Sequence, residues 1–358
     1  MDGLSVGIIG TGYWGSKHVR VLQSTKGVDR VVAIDGRADR LDAMAAAHPS
    51  LAGSCFRDLE SALDHVDALV IATPPNSHAK LGLAAIAAGK SVLIEKPLAT
   101  SVADTDALIS AAAAKGVTLM AGHTFEYNAA VWRARELIEA GELGRLHFLD
   151  SARLNLGLYQ TDVDVIWDLA PHDVSIFNHL LQASPSSVQA WGARNAHPRL
   201  VDVAHIRLDY AELDVSAIIH VSWLDPCKVR RTTVVGDKQM LVYNDINEAE
   251  RLRIYDKGVA SGPVSNDTGE SAMSYRVGDI RAPYIEFHEP LAYQDQHFVS
   301  CVANKTRPVS DGEAGRSVVA VLEAAHVSLE EQRPVDIEPM VDIDLPSLEK
   351  RVSLGVGS

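Results

Sequence analysis

The spacing of apolar residues changes character part-way along the chain. Up to residue 121, short apolar runs alternate with Ala/Leu-rich stretches of helical spacing, the pattern of a parallel α/β sheet. Val6–Ile9, Val31–Ile34, Ala68–Ala72, Ser91–Ile94 and Val117–Ala121 read as strands, the central ones apolar on both faces as buried parallel strands are. Residues 77–88 and 102–115 read as helices; the second opens at Ser101-Val-Ala-Asp104 and closes on Gly116. A linking helix is expected over 129–140, ending at Gly141. Beyond Leu146, β-branched and aromatic runs at 146–156, 188–195, 203–210, 215–224, 229–235 and 239–244 are joined by turns, with Gly236-Asp237 as a two-residue hairpin signal. This predicts a second domain on an open, mostly antiparallel sheet. Helices at about 171–182, 290–304 and 312–331 would cover one of its faces. Residues 256–285, rich in Gly, Ser, Asp and Pro, read as a long loop excursion. The expected division is 1–122 and 123–358.

Composition narrows the class. A chain of 358 residues is long enough for two well-filled domains, and 47% hydrophobic with 22% charged residues argues against extensive disorder. With 33 Lys+Arg against 47 Asp+Glu the formal charge is −14, which disfavours nonspecific nucleic-acid binding. No apolar run reaches the ~18–20 residues of a membrane span. The opening MDGLSVGIIG carries no basic region before its strand, so a secretory signal is not expected. Cys55, Cys227 and Cys301 are too scattered for a disulfide framework or a zinc site, which points to a reduced, cytoplasmic compartment. Fourteen histidines form no HExxH or HxxxH pattern, so no metal site is expected. The half-apolar second sheet needs a cover, and a homodimer or homotetramer is the ordinary solution.

Candidate chemistry begins at Gly10-Thr-Gly12-Tyr13-Trp14-Gly15, which follows a strand and opens a helix, with Asp35 ending the next strand. Glycines there allow a tight turn, close approach of backbone N–H groups to a pyrophosphate, and close helix–strand packing. The first domain is therefore expected to be a Rossmann dinucleotide-binding domain. Asp35 would accept from the adenosine ribose and repel a 2′-phosphate, favouring NAD over NADP. Arg37 is either a solvated surface charge or a ligand for that phosphate. The strand 68–72 runs into Thr73-Pro74-Pro75-Asn76-Ser77-His78, at the strand ends where open α/β sheets bind ligands; Asn76 also reads as the N-cap of the next helix. The next strand ends in Glu95-Lys96-Pro97, which places a lysine at the same edge.

Here the sequence resembles the Gfo/Idh/MocA family of sugar and cyclitol oxidoreductases. The matching residues are the glycine motif, A-T-P-P-N-S-H-A (72–79), E-K-P (95–97), G-H-T-F-E-Y-N (122–128) and W-D-L-A-P-H-D (167–173), with E-P-L (289–291) and D-G-E-A-G-R (311–316) near the end. The resemblance implies an NAD-binding domain followed by an α+β domain, and places Lys96, Asp168 and His172 at the substrate. Cofactor contacts are expected from Gly10, Gly12, Tyr13, Trp14, Gly15, Asp35, Thr73, Pro74, Asn76, His78, Glu95 and Lys96, and a substrate contact from Tyr127. Pro171 is expected in the first turn of the helix it opens, with Asp168 and His172 at its N-terminal end. An imidazole suits the removal of a hydroxyl proton, since it titrates near working pH; the plainer reading of His172 is a polar helix-end residue. His179 is expected in the interior, as are most of Trp132, Trp167, Trp191 and Trp223 unless they face an interface.

A narrower resemblance, to the branch that oxidises C3 of UDP-N-acetyl-glucosaminuronic acid or related nucleotide sugars, is carried by Arg153-Leu-Asn155-Leu-Gly157, the W-D-L-A-P-H-D stretch, Ser222-Trp-Leu and Val234-Val-Gly-Asp-Lys238. Along 146–156 the strand alternation puts Arg153 and Asn155 on one face, where they would grip a diphosphate or uronate; the alternative is that Arg153 pairs with an acidic neighbour. That branch tends to carry serine where this chain has Asp168, which leaves neutral nucleotide sugars open. The expected activity is NAD-dependent oxidation of a sugar hydroxyl. The alternatives are a 3-ketosugar reductase, a free cyclitol dehydrogenase, or a dinucleotide-sensing regulator without turnover.

Overall fold

The computed structural model describes residues 3–157, 159, 163–264 and 271–337. In chain order the first elements are β1 (Leu4–Ile9), α1 (Tyr13–Leu22), β2 (Val28–Ile34), α2 (Ala38–Ala47), β3 (Cys55–Phe56), α3 (Leu59–Ala62), β4 (Ala68–Ile71), α4 (His78–Ala87), β5 (Ser91–Glu95), α5 (Val102–Lys115) and β6 (Leu119–Gly122). Next come α6 (Ala129–Glu139), β7 (Leu146–Leu156), α7 (Val165–Leu181), β8 (Ser187–Ala193), β9 (Val203–Tyr210), β10 (Val215–Ser222), β11 (Leu224–Gly236) and β12 (Met240–Asn244). The chain continues with β13 (Leu252–Val264), β14 (Ser271–Arg281), α8 (Pro290–Asn304), α9 (Gly312–Glu331) and β15 (Val335–Asp336).

The first unit is a parallel sheet in the order β3-β2-β1-β4-β5-β6. Strand order reverses between β1 and β4, so the carboxyl ends of these two strands flank the crevice where such sheets take ligands. Every residue of β4 and β5 is buried, which accounts for their unbroken apolar sequence. Helix α5 opens where the Ser101 hydroxyl accepts from the Asp104 N–H at 3.1 Å, and it closes on Gly116 at φ 63°.

This unit is discontinuous, which corrects the division at 122/123. Residues up to Tyr127 pack with His288–Glu323. Helix α8 lies beside α1. The chain then returns to the free edge of β6, where the Ala121 N–H donates to the Ser310 carbonyl at 2.7 Å and Met120 bridges Asp311. Arg316 on α9 pairs with Asp106 of α5 at 2.5 Å.

The second unit, Asn128–Phe287 with the end of α9 and β15, carries a nine-stranded sheet in the order β14-β13-β12-β11-β7-β10-β9-β8-β15. Only the β7–β10 pair is parallel. Helix α7 packs against β7, β9 and β10, and the Ser328 hydroxyl of α9 accepts from the Ala190 N–H at 2.9 Å. Helix 290–304, expected to cover this sheet, belongs to the first unit. On the opposite face Phe148, Trp191 and Ile218 are exposed.

Two local readings change. The turn between β11 and β12 closes with the Gly236 N–H donating to the Gln239 carbonyl at 3.1 Å, which puts Asp237-Lys238 at its tip, one residue later than expected. Gly236 serves close packing instead, since a Cβ there would stand 2.1 Å from the Leu143 carbonyl oxygen. The 256–285 segment is largely a β13–β14 hairpin, not a loop; its centre, 265–270, lies outside the described residues. Its glycines make room within strands: a Cβ on Gly278 would meet the Asp256 carboxylate at 2.2 Å, and Asp256 pairs with Arg276 at 2.7 Å.

Two imidazoles in the first unit are buried in uncharged form. His297 accepts from the Val309 N–H at 3.0 Å, and neither ring nitrogen of His123 has a hydrogen-bond partner. Burial pulls both from 6.5 down to about 4. Unfolded chains therefore bind the extra protons first, so this stability is present above about pH 6.5 and is lost as pH falls through 4. Melting temperature should drop over that interval, and His297→Gln should make the drop shallower; an unchanged slope in the variant would remove His297 from the account.

Candidate active site

The glycine motif makes the cofactor loop by exclusion of side chains. Gly10 has φ +90°, and a Cβ on Gly15 would stand 1.8 Å from the Gly10 carbonyl oxygen. Around Gly12 the nearest atom to such a Cβ is Arg40 Nη1 at 3.8 Å, so its face is open. Helix α1 has no side-chain cap and no acid in its first turn, which leaves its N–H groups for a pyrophosphate. Tyr13 and Trp14 begin α1 exposed, with Lys17 Nζ 4.4 and 5.0 Å from their ring centres.

Asp35 Oδ2 accepts from the Thr11 N–H and hydroxyl at 2.9 and 3.0 Å, and Oδ1 accepts from the Arg37 N–H at 2.9 Å. Burial alone would raise this carboxyl, but these donors and Arg40 hold it below the usual carboxylate range. Oδ1 keeps a lone pair for a ribose hydroxyl. The residues therefore fit an NAD. Arg37 turns outward to Asp39 in an exposed pair, which is its surface-charge reading. Arg40, unnoticed in the sequence, is the guanidinium beside the carboxylate, 3.6 Å from Oδ2.

The β4 and β5 ends are tied together from inside. His78 is fully buried, its Nδ1 2.8 Å from the Pro97 carbonyl and its Nε2 2.8 Å from that of Thr73, so the ring braces these two turns instead of facing outward. The Thr73 hydroxyl bonds that of Ser77 at 2.7 Å. Pro74 and Asn76 are exposed; Asn76 lies in a short turn and Ser77 precedes α4, so the capping role expected of Asn76 is not found.

Glu95 is buried, with Oε1 3.0 Å from His18 Nε2 and Oε2 accepting from the Lys96 N–H at 3.3 Å. The other His18 nitrogen lies 3.0 Å from both oxygens of Asp295 on α8. Burial disfavours a charged ring, yet Asp295 and Glu95 outweigh it and push His18 up to about 10, so the ring is an imidazolium. Lys96 follows, half-buried. Tyr127 is interior: its hydroxyl bonds Ser310 at 2.9 Å and burial holds the phenol well above its ordinary value, so it offers no substrate contact on an open surface.

In the second unit α7 starts earlier than expected. Asp164 Oδ1 accepts from the Ile166 and Trp167 N–H groups at 3.1 and 3.3 Å, and its other oxygen holds His326 at 2.9 Å. This cap begins the helix at Val165 and leaves Pro171 inside it. Asp168 thus closes the first turn and His172 stands one turn further on, on the same face. Asp168 Oδ2 accepts from the Trp223 indole at 3.2 Å. Arg153 adopts its structural alternative: the buried guanidinium donates to Asp173 through Nε at 2.7 Å and Nη2 at 3.3 Å. Asn155 sits two residues on, half-buried. Lys96 belongs to the first unit, and Asp168, His172, Arg153 and Asn155 to the second.

Comparison with known proteins agrees with both halves. The oxidoreductase family with an NAD-binding Rossmann fold matches residues 4–123, and the GFO/IDH/MocA C-terminal domain matches 131–242. An inositol 2-dehydrogenase of Pseudomonas fluorescens is 30% identical over 232 residues, 62% of this chain and 69% of that protein. The chain belongs to the Gfo/Idh/MocA oxidoreductase family. Within this family, the UDP-N-acetylglucosamine 3-dehydrogenase of Acidithiobacillus ferrooxidans is 26% identical over 331 residues, covering 91% of this chain and 97% of that protein. Its solved structure superposes with TM-score 0.75 over 92% of this chain and 99% of that one. The first unit is accordingly an NAD-binding Rossmann domain. Among the described residues no group of His, Cys, Asp or Glu is arranged to hold a metal, and no helix is long and apolar enough to cross a membrane.

Asp173 should matter to the fold through its pair with Arg153. Asp173→Asn leaves the buried guanidinium without its carboxylate and should cost roughly 3–5 kcal/mol in urea unfolding, whereas Arg153→Met with Asp173→Leu should recover most of the loss. A loss confined to substrate binding would return Arg153 to the ligand.

Proposed function

We propose that this protein oxidises a secondary hydroxyl of a sugar with NAD, most closely C3 of a nucleotide-linked pyranose. The observation that carries the reading is the near full-length likeness to the UDP-N-acetylglucosamine 3-dehydrogenase, in a chain with Lys96 at the β5 edge and Asp168 and His172 one turn apart on α7. Bound NAD supplies the hydride acceptor. His172 would take the proton from the hydroxyl oxygen while the carbon bearing that oxygen gives up its hydride, leaving a ketone. Lys96 donates to the substrate oxygen, orients it and offsets its developing negative charge. Asp168, held by Trp223, positions a neighbouring hydroxyl or steadies the charged form of His172. The open face of the second sheet, with Phe148, Trp191 and Ile218 exposed, is the surface through which we expect a homodimer or homotetramer. A free cyclitol is the second candidate substrate, favoured by the inositol 2-dehydrogenase likeness.

Substrate class is tested by following NADH formation with UDP-N-acetylglucosamine, other UDP- and dTDP-sugars, and myo-inositol. Turnover of myo-inositol alone would replace the nucleotide-sugar reading. His172→Ala and Lys96→Met should each lower kcat by ~10²–10⁴-fold with NAD affinity near wild type; wild-type turnover in His172→Ala at every pH would remove it as the base. The dissociation constant for NAD should be smaller than for NADP because of Asp35, and the reverse order would mean that Arg40 or Arg37 outweighs the carboxylate.

A further inference from the structure

Arg153, the guanidinium expected at an anionic ligand, is taken up by Asp173, but a second one lies directly across the sheet. Arg230 of β11 is the register partner of Arg153 on β7, and residues opposite each other in an antiparallel pair point to the same face. On that face α7 packs against β7, β9 and β10, and α6 against β12. The cover over β11 ends at Arg230: Val234 and Thr232 are buried, the Arg230 side chain is 37% exposed and Lys228 is exposed. The same end of the sheet holds Asp168. The Trp223 indole that donates to Asp168 comes just before β11. The Trp223 carbonyl accepts from the Gly157 N–H at 2.9 Å, and Leu224 pairs with Leu156 at the end of β7. Arg153 in turn donates to Asp173, the neighbour of His172. Arg230 thus stands one strand away from the residue that ties down this part of α7.

The hold on Arg230 is loose. Its Nη1 reaches Asp245 Oδ2 at 3.4 Å, beyond the roughly 2.7–2.9 Å of a charge-assisted contact. Its Nε and Nη2 have no partner among the described residues. Asp245 does not depend on this contact, because the Tyr243 hydroxyl donates to its Oδ1 at 2.8 Å and Arg251 Nη1 lies 3.7 Å from the same oxygen. Arg153 is the opposite case: it is buried and held through two nitrogens, so turning it toward a ligand would strand Asp173. Like charges directly opposite on neighbouring strands oppose pairing, so the sheet gains nothing from a second guanidinium across from Arg153. We propose that Arg230 grips the diphosphate of a nucleotide-linked substrate. Its planar fork matches phosphate oxygens, which accept parallel N–H bonds from such a group. The proposal rests on the nucleotide-sugar reading and names the residue that would separate that class of substrate from a free sugar. The sugar ring lies at Asp168 and His172, and the diphosphate extends toward the start of β11.

The test uses UDP itself, titrated calorimetrically into the full-length protein saturated with NAD. Arg230→Met should raise the UDP dissociation constant by about tenfold or more. Arg230→Lys keeps the charge but not the fork and should lie between that variant and wild type; it also serves where the methionine variant does not fold. Asp245→Asn weakens the same ion pair but keeps the guanidinium, so its UDP affinity should stay near wild type. Equal losses in Asp245→Asn and Arg230→Met would mean that Arg230 only holds the sheet, and would overturn the proposal. With a UDP-sugar as substrate, Arg230→Met should raise KM by a similar factor with a smaller change in kcat. UDP affinity unchanged in Arg230→Met overturns the proposal, and a KM raised only for a UDP-uronate would then assign the guanidinium to the sugar carboxylate. Failure of the nucleotide-sugar reading shows separately, as a wild-type protein that binds no UDP and turns over myo-inositol alone.

Discussion

Much of the first unit depends on how closely α1 lies against the end of β1. Gly15 sits over the Gly10 carbonyl where no Cβ fits, and that contact sets the position of the whole helix. From it follow the open N–H groups at the helix start and the exposed Tyr13 and Trp14. His18, three residues after Gly15, is carried to the buried point where Glu95 and Asp295 meet it. One steric constraint therefore places both the anion-binding end of α1 and the cationic ring that reaches the β5 edge. A larger residue at position 15 would disturb both the helix start and the buried His18 pairing, which look unrelated in the sequence.

The chemistry is distributed in the manner expected of a scaffold that hosts many substrates. The groups proposed to meet a dinucleotide come from strand ends and one helix start, in a sheet whose β4, β5 and β6 strands are buried throughout. Asp168 and His172 come from a capped helix lying on a broad sheet, so their spacing is set by helical geometry and not by a loop. Asp164 holds that helix start with one oxygen and His326 with the other, which makes the register of α7 a property of two helices at once.

The legible parts of the sequence were those governed by local rules. Buried parallel strands announce themselves as unbroken apolar runs, and Ser101 and Gly116 mark the ends of α5 because their caps are made within a few residues. The boundaries of β7, β9, α8 and α9 were readable for the same reason. Readings failed where a distant residue decides the outcome. Pro171 looked like a helix start because the competing cap, Asp164, lies seven residues earlier and a proline inside a helix is uncommon. Arg153 looked available because Asp173 is 20 residues away and meets it only after α7 lies on the sheet. Glycines at 258 and 278 suggested a loop, whereas each makes room for a neighbouring charged side chain. The pairing of His18 with Glu95 and Asp295 was invisible altogether, since these partners are 77 and 277 residues away.

The return of the chain to β6 has a consequence for biosynthesis. The strand's outer edge offers unpaired N–H and C=O groups until Ser310 and Asp311 reach it, and exposed edges of this kind invite pairing with other chains. On a ribosome the residues up to Tyr127 emerge long before those two, with Asn128–Phe287 of the second unit made in between. The Rossmann unit must therefore wait, with one flank uncovered, for a closing segment that follows the strands of the second unit up to β14. Proteins built this way depend on the speed of their own completion, and a chain released early, after β14 but before α8, would carry a ready template for aggregation.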